Sequence, residues 1–194
     1  MLIFIVGLDG CGKGTQISLL KKYLEKKGKK VFYSKAFTDD VKEIFSPYLE
    51  YWDQVSRMFF FQALHAQQCT EAVDAIKRGE IVIADRWDES YIAYHSQYGI
   101  LAQNKDLRNQ LNQLAFQGIE PNLTFFIDIP PETVPKRTQL RGQDFFDREP
   151  LEYHRKMREG YLGLAEKRKW IIIDGTQTIQ AIHRTIIAEI EKYI

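Results

Sequence analysis

The sequence predicts an α/β fold in which a five-stranded parallel sheet is covered on both faces by helices. Two patterns support this prediction: short apolar segments alternate with helical segments along the chain, and the first apolar segment leads directly into a glycine-rich turn. Continuous apolar segments are typical of parallel strands, which are buried on both faces. We expect these strands at 2–6, 31–34, 81–84, 123–129 and 170–174.

Segments with helical periodicity connect the expected strands. We expect helices near 13–27, 56–77, 88–97, 105–117, 131–141, 150–168 and 178–193. The first of them has a lysine-rich last turn and stops at Gly28, as helices commonly do. The 194 residues contain no internal repeat, low-complexity tract or linker, so a single domain over 1–194 is expected.

The composition is typical of a soluble globular protein, with 44% hydrophobic and 27% charged residues. The formal net charge of +1 argues against a nucleic-acid-binding module, which would carry a basic surface. No signal peptide is recognisable, and no apolar run approaches the ~20 residues that span a bilayer. Cys11 and Cys69 are far apart and lack metal-ligand spacing. We therefore expect a cytoplasmic protein that binds neither membrane nor nucleic acid.

A glycine-rich loop with the sequence GLDGCGKGT follows the first strand and opens the first helix. Its glycines let the backbone turn N–H groups inward as an anion nest, and the helix N-terminus adds partial positive charge. Lys13 can then reach the β- and γ-phosphates of a nucleoside triphosphate. A glycine-rich turn that binds nothing is the alternative. The expected ATP site comprises Gly7, Leu8, Asp9, Gly10, Cys11, Gly12, Lys13, Gly14 and Thr15. Strand, loop and helix together indicate the three-layer P-loop NTPase fold.

A second polar segment begins with Asp85 and Arg86, directly after the third expected strand. Ligands of open α/β sheets bind at the carboxyl ends of the strands, so both side chains are expected to face the glycine-rich loop. Asp85 can hold a metal ion or its waters, and Arg86 can bind a phosphate with two hydrogen bonds. A helix N-cap for Asp85 and a surface ion pair for Arg86 are the structural alternatives.

Four segments, in the right order, resemble the thymidylate kinase family over nearly the whole chain. They are the loop at 7–15, DRWDESYIAY at 85–94, PNLTFFIDIPPETVPKR at 121–137 and REPLEYHRKMREGYLGLA at 148–165. The second matches the family's DR-aromatic-x-x-S-x-x-A-Y segment, and the fourth resembles its lid and the helix that follows. The resemblance implies transfer of the ATP γ-phosphate to a deoxynucleoside monophosphate, with dTMP as the leading acceptor.

The resemblance also implies roles for single residues. Lys13 and the loop amides would hold ATP, while Asp9 would face the sugar and phosphate of the acceptor. Arg86 would bind the acceptor phosphate. Ser90 would lie in the acceptor pocket, and Tyr94 would crowd the 2′ position and favour deoxyribose.

A short lid at about 141–149 is implied in the same way, with Arg141 closing over the transferred phosphoryl group. The implied catalytic residues are Lys13, Asp9, Arg86 and Arg141. Because Gly14 follows the lysine, Mg²⁺ is expected to be held largely through water, with Asp85 and Thr15 as its protein partners. The family further implies a homodimer.

On the acceptor side the sequence departs from the family. Lys35 stands where an arginine usually follows the second strand. Phe61 or Phe60 is expected to stack on a pyrimidine, although the run Met58–Phe61 can instead build core or a subunit interface. His65, or Leu64 if the alignment slips by one residue, takes the position of an arginine on the helix that faces the base.

Two further departures concern the base and the lid. Tyr91 replaces a small or amide side chain near the base, and Asp144–Asp147 lacks the lid arginine, for which Arg148 or Arg141 would substitute. The implied acceptor site comprises Asp9, Lys35, Phe61, His65, Arg86, Ser90, Tyr91 and Tyr94. A kinase for another or a modified pyrimidine nucleotide is the leading alternative.

Other classes of P-loop protein fit the sequence less well. A deoxynucleoside kinase usually carries a carboxylate directly after the second strand, and Lys35, Ala36 and Phe37 supply none. A P-loop GTPase or regulatory NTPase is the alternative from a different class. The sequence has no Asn-Lys-x-Asp segment for guanine recognition.

Overall fold

The protein is described by a computed structural model that covers residues 1–97, 99–139 and 145–194. Its centre is a five-stranded sheet in the order β2-β3-β1-β4-β5, and all neighbouring strands are parallel. The strands are β1 (Leu2–Val6), β2 (Val31–Lys35), β3 (Ile81–Asp85), β4 (Leu123–Asp128) and β5 (Ile171–Asp174). The predicted strands and the predicted α/β class are confirmed.

Eight α-helices surround the sheet in the described part of the chain. They are α1 (Lys13–Lys26), α2 (Asp39–Leu49), α3 (Gln54–Lys77), α4 (Asp88–Gln97), α5 (Lys105–Phe116), α6 (Val134–Gln139), α7 (Leu151–Arg168) and α8 (Ile179–Ile190). Helix α1 packs against α8, whereas α3 packs against α5, and α4 against α5 and α7. No helix in the described ranges is long and apolar enough to cross a membrane.

Helix α2 is absent from the sequence-based prediction. Pro47 lies inside it, and an interior proline removes a main-chain hydrogen bond and weakens the helical pattern. One feature of the sequence does indicate the start of this helix: Thr38 precedes Asp39 and Asp40, and acidic residues are favoured in the first turn of a helix. The helix expected near 131–141 is shorter, because a 3₁₀ turn at Pro131–Thr133 precedes α6.

The strand register brings the polar segments to one edge of the sheet. In the centre, all five residues of β1 are buried, and Ile5 lies opposite Asp85 of β3. Because the strands are parallel, the residues after β1 and those after β3 emerge side by side. This register is the reason that Asp9 and Arg86 can meet.

Two ion pairs fasten the helices around that edge. Arg158 of α7 donates two hydrogen bonds of 2.7 Å to Asp128 at the end of β4. Arg168, on the last turn of α7, donates two to Asp88 at the start of α4. Such two-point arginine–carboxylate contacts fix orientation as well as distance. They join α7 to β4 and to α4, the helix that begins directly after the segment carrying Arg86.

Candidate active site

The glycine-rich loop connects β1 to α1, as predicted. Gly7 has φ of 147°, and a Cβ there would lie 2.6 Å from the Ile127 carbonyl oxygen, so only glycine fits without displacement. The Lys13 side chain is 8% exposed, and its ammonium donates hydrogen bonds of 3.0 Å to the carbonyls of Gly7 and Leu8. The loop therefore presents a nearly buried cation against a turn of main-chain amides, an arrangement that favours a bound polyphosphate.

A cluster of polar side chains faces the loop and is centred on Arg86. Its guanidinium donates to Asp9 Oδ1 at 2.7 Å and to the Tyr161 hydroxyl at 2.7 Å, with a longer contact to Ser90 Oγ at 3.4 Å. The Tyr161 and Ser90 hydroxyls lie 3.0 Å apart. Three elements thus hold the guanidinium: the loop, α4 and α7.

The backbone of Arg86 is in the left-handed region, with φ of 68°, which is uncommon for a residue other than glycine. The turn is supported on both sides. Gln68 Nε2 donates to the Arg86 carbonyl at 3.1 Å, and the next amide, of Trp87, donates to Glu89 Oε1 at 2.8 Å. Strained backbone that is fixed by several contacts is a feature of functional sites.

The electrostatics of the cluster favour a permanent positive charge at its centre. Burial opposes the charge of Arg86, but the carboxylates of Asp9 and Asp85 and the Tyr161 hydroxyl raise the pKa of the guanidinium well above its ordinary value. Glu89, which is fully buried, behaves differently. Burial and the charge of Asp88 raise its pKa to about 7.

The loop and the arginine cluster border one cavity of about 560 Å³. Its phosphate-loop end is lined by Leu8, Asp9, Gly10, Gly12, Lys13, Gly14 and Thr15. Other expected site residues that line it are Lys35, Phe61, His65, Asp85, Arg86, Ser90, Tyr91 and Tyr94. The remaining two loop residues of the expected ATP site, Gly7 and Cys11, are buried and do not line the cavity. Arg141, expected in the lid, lies outside the described residues.

The structure distinguishes between the alternatives on α3. Phe61 lines the cavity, whereas Phe60 packs its ring against those of Phe45 and Trp52, with centroids 4.8 and 5.5 Å away. His65 lines the cavity and Leu64 does not, so of these two residues only His65 can contact a molecule bound there.

The segment around Asp85 and the lid also differs in detail from the expectations. β3 ends at Asp85 and α4 begins at Asp88, so Asp85 is not an N-cap. Its carboxylate accepts a hydrogen bond of 3.2 Å from the Tyr33 hydroxyl. Arg148 forms an ion pair with Glu50 and is not among the residues that line the cavity.

Several cavity-lining residues escaped the sequence analysis. Tyr161 holds Arg86, and Tyr153 and Met157 lie on the same face of α7. Arg137 of α6 reaches back to the loop, donating to the carbonyls of Gly10 at 3.4 Å and Gly175 at 3.2 Å. No local pattern marks these residues, because each reaches the cavity through the packing of a distant helix.

A parallel sheet with a strand–glycine loop–helix unit, a buried lysine and an arginine–carboxylate pair across one cavity defines a P-loop phosphotransferase. The sequence profile of the thymidylate kinase family matches residues 5–186. The thymidylate kinase of Thermoanaerobacter sp. (strain X514) is 33% identical over 197 residues, covering 97% of this chain and 96% of the relative. The thymidylate kinase of Thermosipho melanesiensis is 36% identical over 193 residues, which cover 96% of this chain and 95% of the relative. That of Thermosipho africanus is 33% identical over 201 residues, which cover 100% of this chain and 99% of the relative. The chain belongs to the thymidylate kinase family.

Proposed function

We propose that this protein transfers the γ-phosphoryl group of ATP to dTMP, giving ADP and dTDP. The observation that carries the proposal is the shared carboxylate between two cations. Asp9 Oδ1 lies 3.8 Å from the Lys13 ammonium and 2.7 Å from the Arg86 guanidinium. A donor phosphate on Lys13 and an acceptor phosphate on Arg86 would therefore be held next to each other, and positioning of this kind supplies most of the catalysis in phosphoryl transfer.

In the proposed reaction an oxygen of the dTMP phosphate forms a bond to the γ-phosphorus, and the bond from that phosphorus to the bridging oxygen of ADP breaks. The acceptor phosphate needs no general base, because its second pKa is ~6 and its oxygens are already ionised at neutral pH. Lys13 and the loop amides would hold the donor. Arg86 would hold the acceptor phosphate, and the Asp9 carboxylate would fix the positions of Lys13 and Arg86 relative to each other. Arg137 lies close enough to the loop to add positive charge there.

The other end of the cavity suits a flat base and a deoxyribose. Phe61 offers a ring for stacking, and Tyr91 and Tyr94 line the wall formed by α4. We assign Tyr94 to the exclusion of a 2′-hydroxyl and Ser90 to the acceptor phosphate, next to Arg86. Lys35, at the end of β2, lines the cavity and would add positive charge there; its ammonium lies 3.0 Å from the Asp39 carboxylate.

Mg²⁺ is proposed as the metal that accompanies ATP. The described residues contain no group of three His, Cys, Asp or Glu side chains that could hold a metal by itself. Mg²⁺ usually binds through one or two carboxylates together with substrate phosphates and water, so two of the cavity-lining oxygen donors, Asp85 and Thr15, suit an ion that arrives with the nucleotide. When bound, the ion would neutralise charge on the phosphates.

Three further assignments complete the proposal. Arg141 would close over the phosphoryl group as part of a lid at about 141–149. A homodimer is supported by apolar side chains on the packed helices α3 and α5, where Phe59 is 58% and Leu114 76% exposed. A cytoplasmic location agrees with the two cysteines, which are both unpaired thiols.

Turnover with a panel of acceptors tests the proposed function. Purified protein is incubated with ATP and Mg²⁺ and with dTMP, dUMP, dCMP, UMP or dGMP, and the nucleoside diphosphates are quantified. We expect dTMP to give the highest kcat/KM. Formation of no diphosphate from any acceptor would contradict a kinase, and a clear preference for another nucleotide would replace dTMP by that acceptor.

A further inference from the structure

The amide of Gln68 has only one orientation that satisfies its neighbours. One of its two polar atoms lies 3.1 Å from the Arg86 carbonyl oxygen, which can only accept a hydrogen bond. The amide nitrogen must therefore face Arg86, and the amide oxygen faces the other way. That oxygen, Oε1, lies 3.3 Å from Nδ1 of His65, one turn earlier on α3.

The orientation of Gln68 fixes the tautomer of His65. Since Gln68 Oε1 only accepts, the hydrogen of this contact has to reside on His65 Nδ1. In a neutral imidazole the other nitrogen, Nε2, then carries a lone pair and acts as an acceptor. Nε2 has no hydrogen-bond partner among the described residues, and the side chain lines the cavity.

The imidazole is neutral at physiological pH. His65 is 8% exposed, and burial lowers its pKa to about 4; the hydrogen bond with Gln68 and the charge of Asp88 oppose this shift, and Arg86 adds a smaller lowering effect. A protonated ring would present hydrogens on both nitrogens. The burial keeps that form from being populated near pH 7.

We propose that His65 selects the nucleobase as a hydrogen-bond acceptor, its Nε2 lone pair receiving the N3–H of the acceptor's pyrimidine. The proposal rests on the proposed function for the location of the acceptor in this cavity. Thymine and uracil both carry a hydrogen on N3, whereas cytosine carries a lone pair there. A cytosine in the same pose would set two lone pairs against each other.

His65 would thus accept a hydrogen bond from the base, whereas the arginine that usually occupies this position can only donate one. An arginine would be matched to a carbonyl oxygen of the base, and His65 to an N–H group. The distinction matters because a site built around one hydrogen bond rejects ligands that leave its buried polar atom unpaired.

Kinetics of the variant His65→Leu test the assignment. Leucine has a side chain of similar length but lacks the Nε2 lone pair that is proposed to accept the hydrogen bond. We expect the ratio of kcat/KM for dTMP to that for dCMP to fall by about 10- to 100-fold. The ratio for dTMP to dUMP should stay within about twofold, because both bases carry N3–H. Leu64→Ala, on the same helix but outside the cavity lining, is the matched control and should change neither ratio.

The outcomes separate the two proposals. A wild-type protein that phosphorylates neither dTMP nor dUMP overturns the proposed function. A wild-type protein that uses dTMP, with a dTMP-to-dCMP ratio unchanged by His65→Leu, leaves the function intact and overturns the role of His65. A wild-type protein that prefers dCMP would also overturn the proposed role of His65, because cytosine has no hydrogen on N3 and the N4–H₂ group would then be the one recognised.

Nitrogen NMR of the wild-type protein gives a test that does not depend on the folding of a variant. The chain contains four histidines, and the His65 signals are identified by sequential assignment of the wild-type protein. In long-range ¹H–¹⁵N spectra at pH 7, we expect a protonated Nδ1 and an unprotonated Nε2 for His65. Addition of dTMP should shift the Nε2 resonance towards that of a hydrogen-bonded acceptor, whereas dCMP should not. A protonated Nε2 in the free protein would overturn the proposal.

Discussion

Glu89→Gln is the substitution for which the structure gives the clearest magnitude. Glu89 is fully buried next to Arg86, and its Oε1 accepts hydrogen bonds from the Trp87 amide at 2.8 Å and the Ser90 hydroxyl at 3.1 Å. Its Oε2 is buried and has no partner among the described residues. The proton of the neutral acid therefore resides on Oε2. Glutamine keeps the accepting oxygen and places a neutral group at the other position.

The expected effect follows from the raised pKa of Glu89, about 7 in the folded protein against 4.5 ordinarily. Between these values the unfolded chain has lost the proton and the folded protein has kept it, so the wild type loses stability as pH rises. Each unit of pKa difference corresponds to about 1.4 kcal/mol, which gives about 3 kcal/mol over the whole window. The glutamine of the variant carries no such titrating proton, so the variant's free energy of unfolding should escape this decline.

Urea unfolding followed by tryptophan fluorescence measures the difference, with wild type and Glu89→Gln compared from pH 4.5 to pH 8. We expect the free energy of unfolding of the variant, relative to that of the wild type, to rise by about 3 kcal/mol between pH 4.5 and pH 7. Above pH 7 the difference should level off. Glu159→Gln, at an exposed position on α7, is the control and should follow the wild type. A difference that is independent of pH, or that moves in the wild type's favour, would refute the reasoning.

Three further predictions concern the loop and the sugar. Lys13→Ala should lower phosphoryl transfer by at least about 100-fold in a coupled ADP assay while circular dichroism stays that of the wild type; near-full activity would refute the assignment of the loop. Gly7→Ala should lower the free energy of unfolding, measured by urea unfolding, by about 2–4 kcal/mol, because its Cβ would clash with the Ile127 carbonyl oxygen. Gly14→Ala is the control and should not lower it, since there is open space around Gly14. Equal stabilities of the two variants would contradict the close packing at Gly7. Tyr94→Ala should reduce the preference for dUMP over UMP by about tenfold in kcat/KM, and an unchanged ratio would remove Tyr94 from sugar selection.

The fold was predictable because its signals are local. Every strand contains a mostly apolar segment, and the glycine-rich loop is marked by glycines between a strand and a helix. Helix α2 was missed, since Pro47 inside it is a residue that ordinarily ends helices. The order of the strands in the sheet has no local signal either, because it depends on where each crossover helix packs.

The candidate site was predictable where a side chain follows directly from a motif, as for Lys13 and Arg86. It was not predictable where a role depends on contacts between distant elements. Arg137 reaches the Gly10 carbonyl only because α6 folds back over the loop. Likewise, the sequence places His65 near the base by resemblance, but nothing in it indicates whether the ring donates or accepts.

The contacts that bear on this question form a continuous path across the site. Lys13 and Arg86 meet on Asp9, the Arg86 carbonyl accepts from Gln68, and Gln68 faces His65. The proposed phosphate end and the proposed base end of the cavity are thus linked through the left-handed backbone of Arg86. Because the Arg86 carbonyl fixes the orientation of the Gln68 amide, the tautomer inferred for His65 depends on the same turn that positions the guanidinium. With the proposed roles of Arg86 and His65, substrate selection and phosphate binding would therefore depend on one turn rather than on two independent subsites.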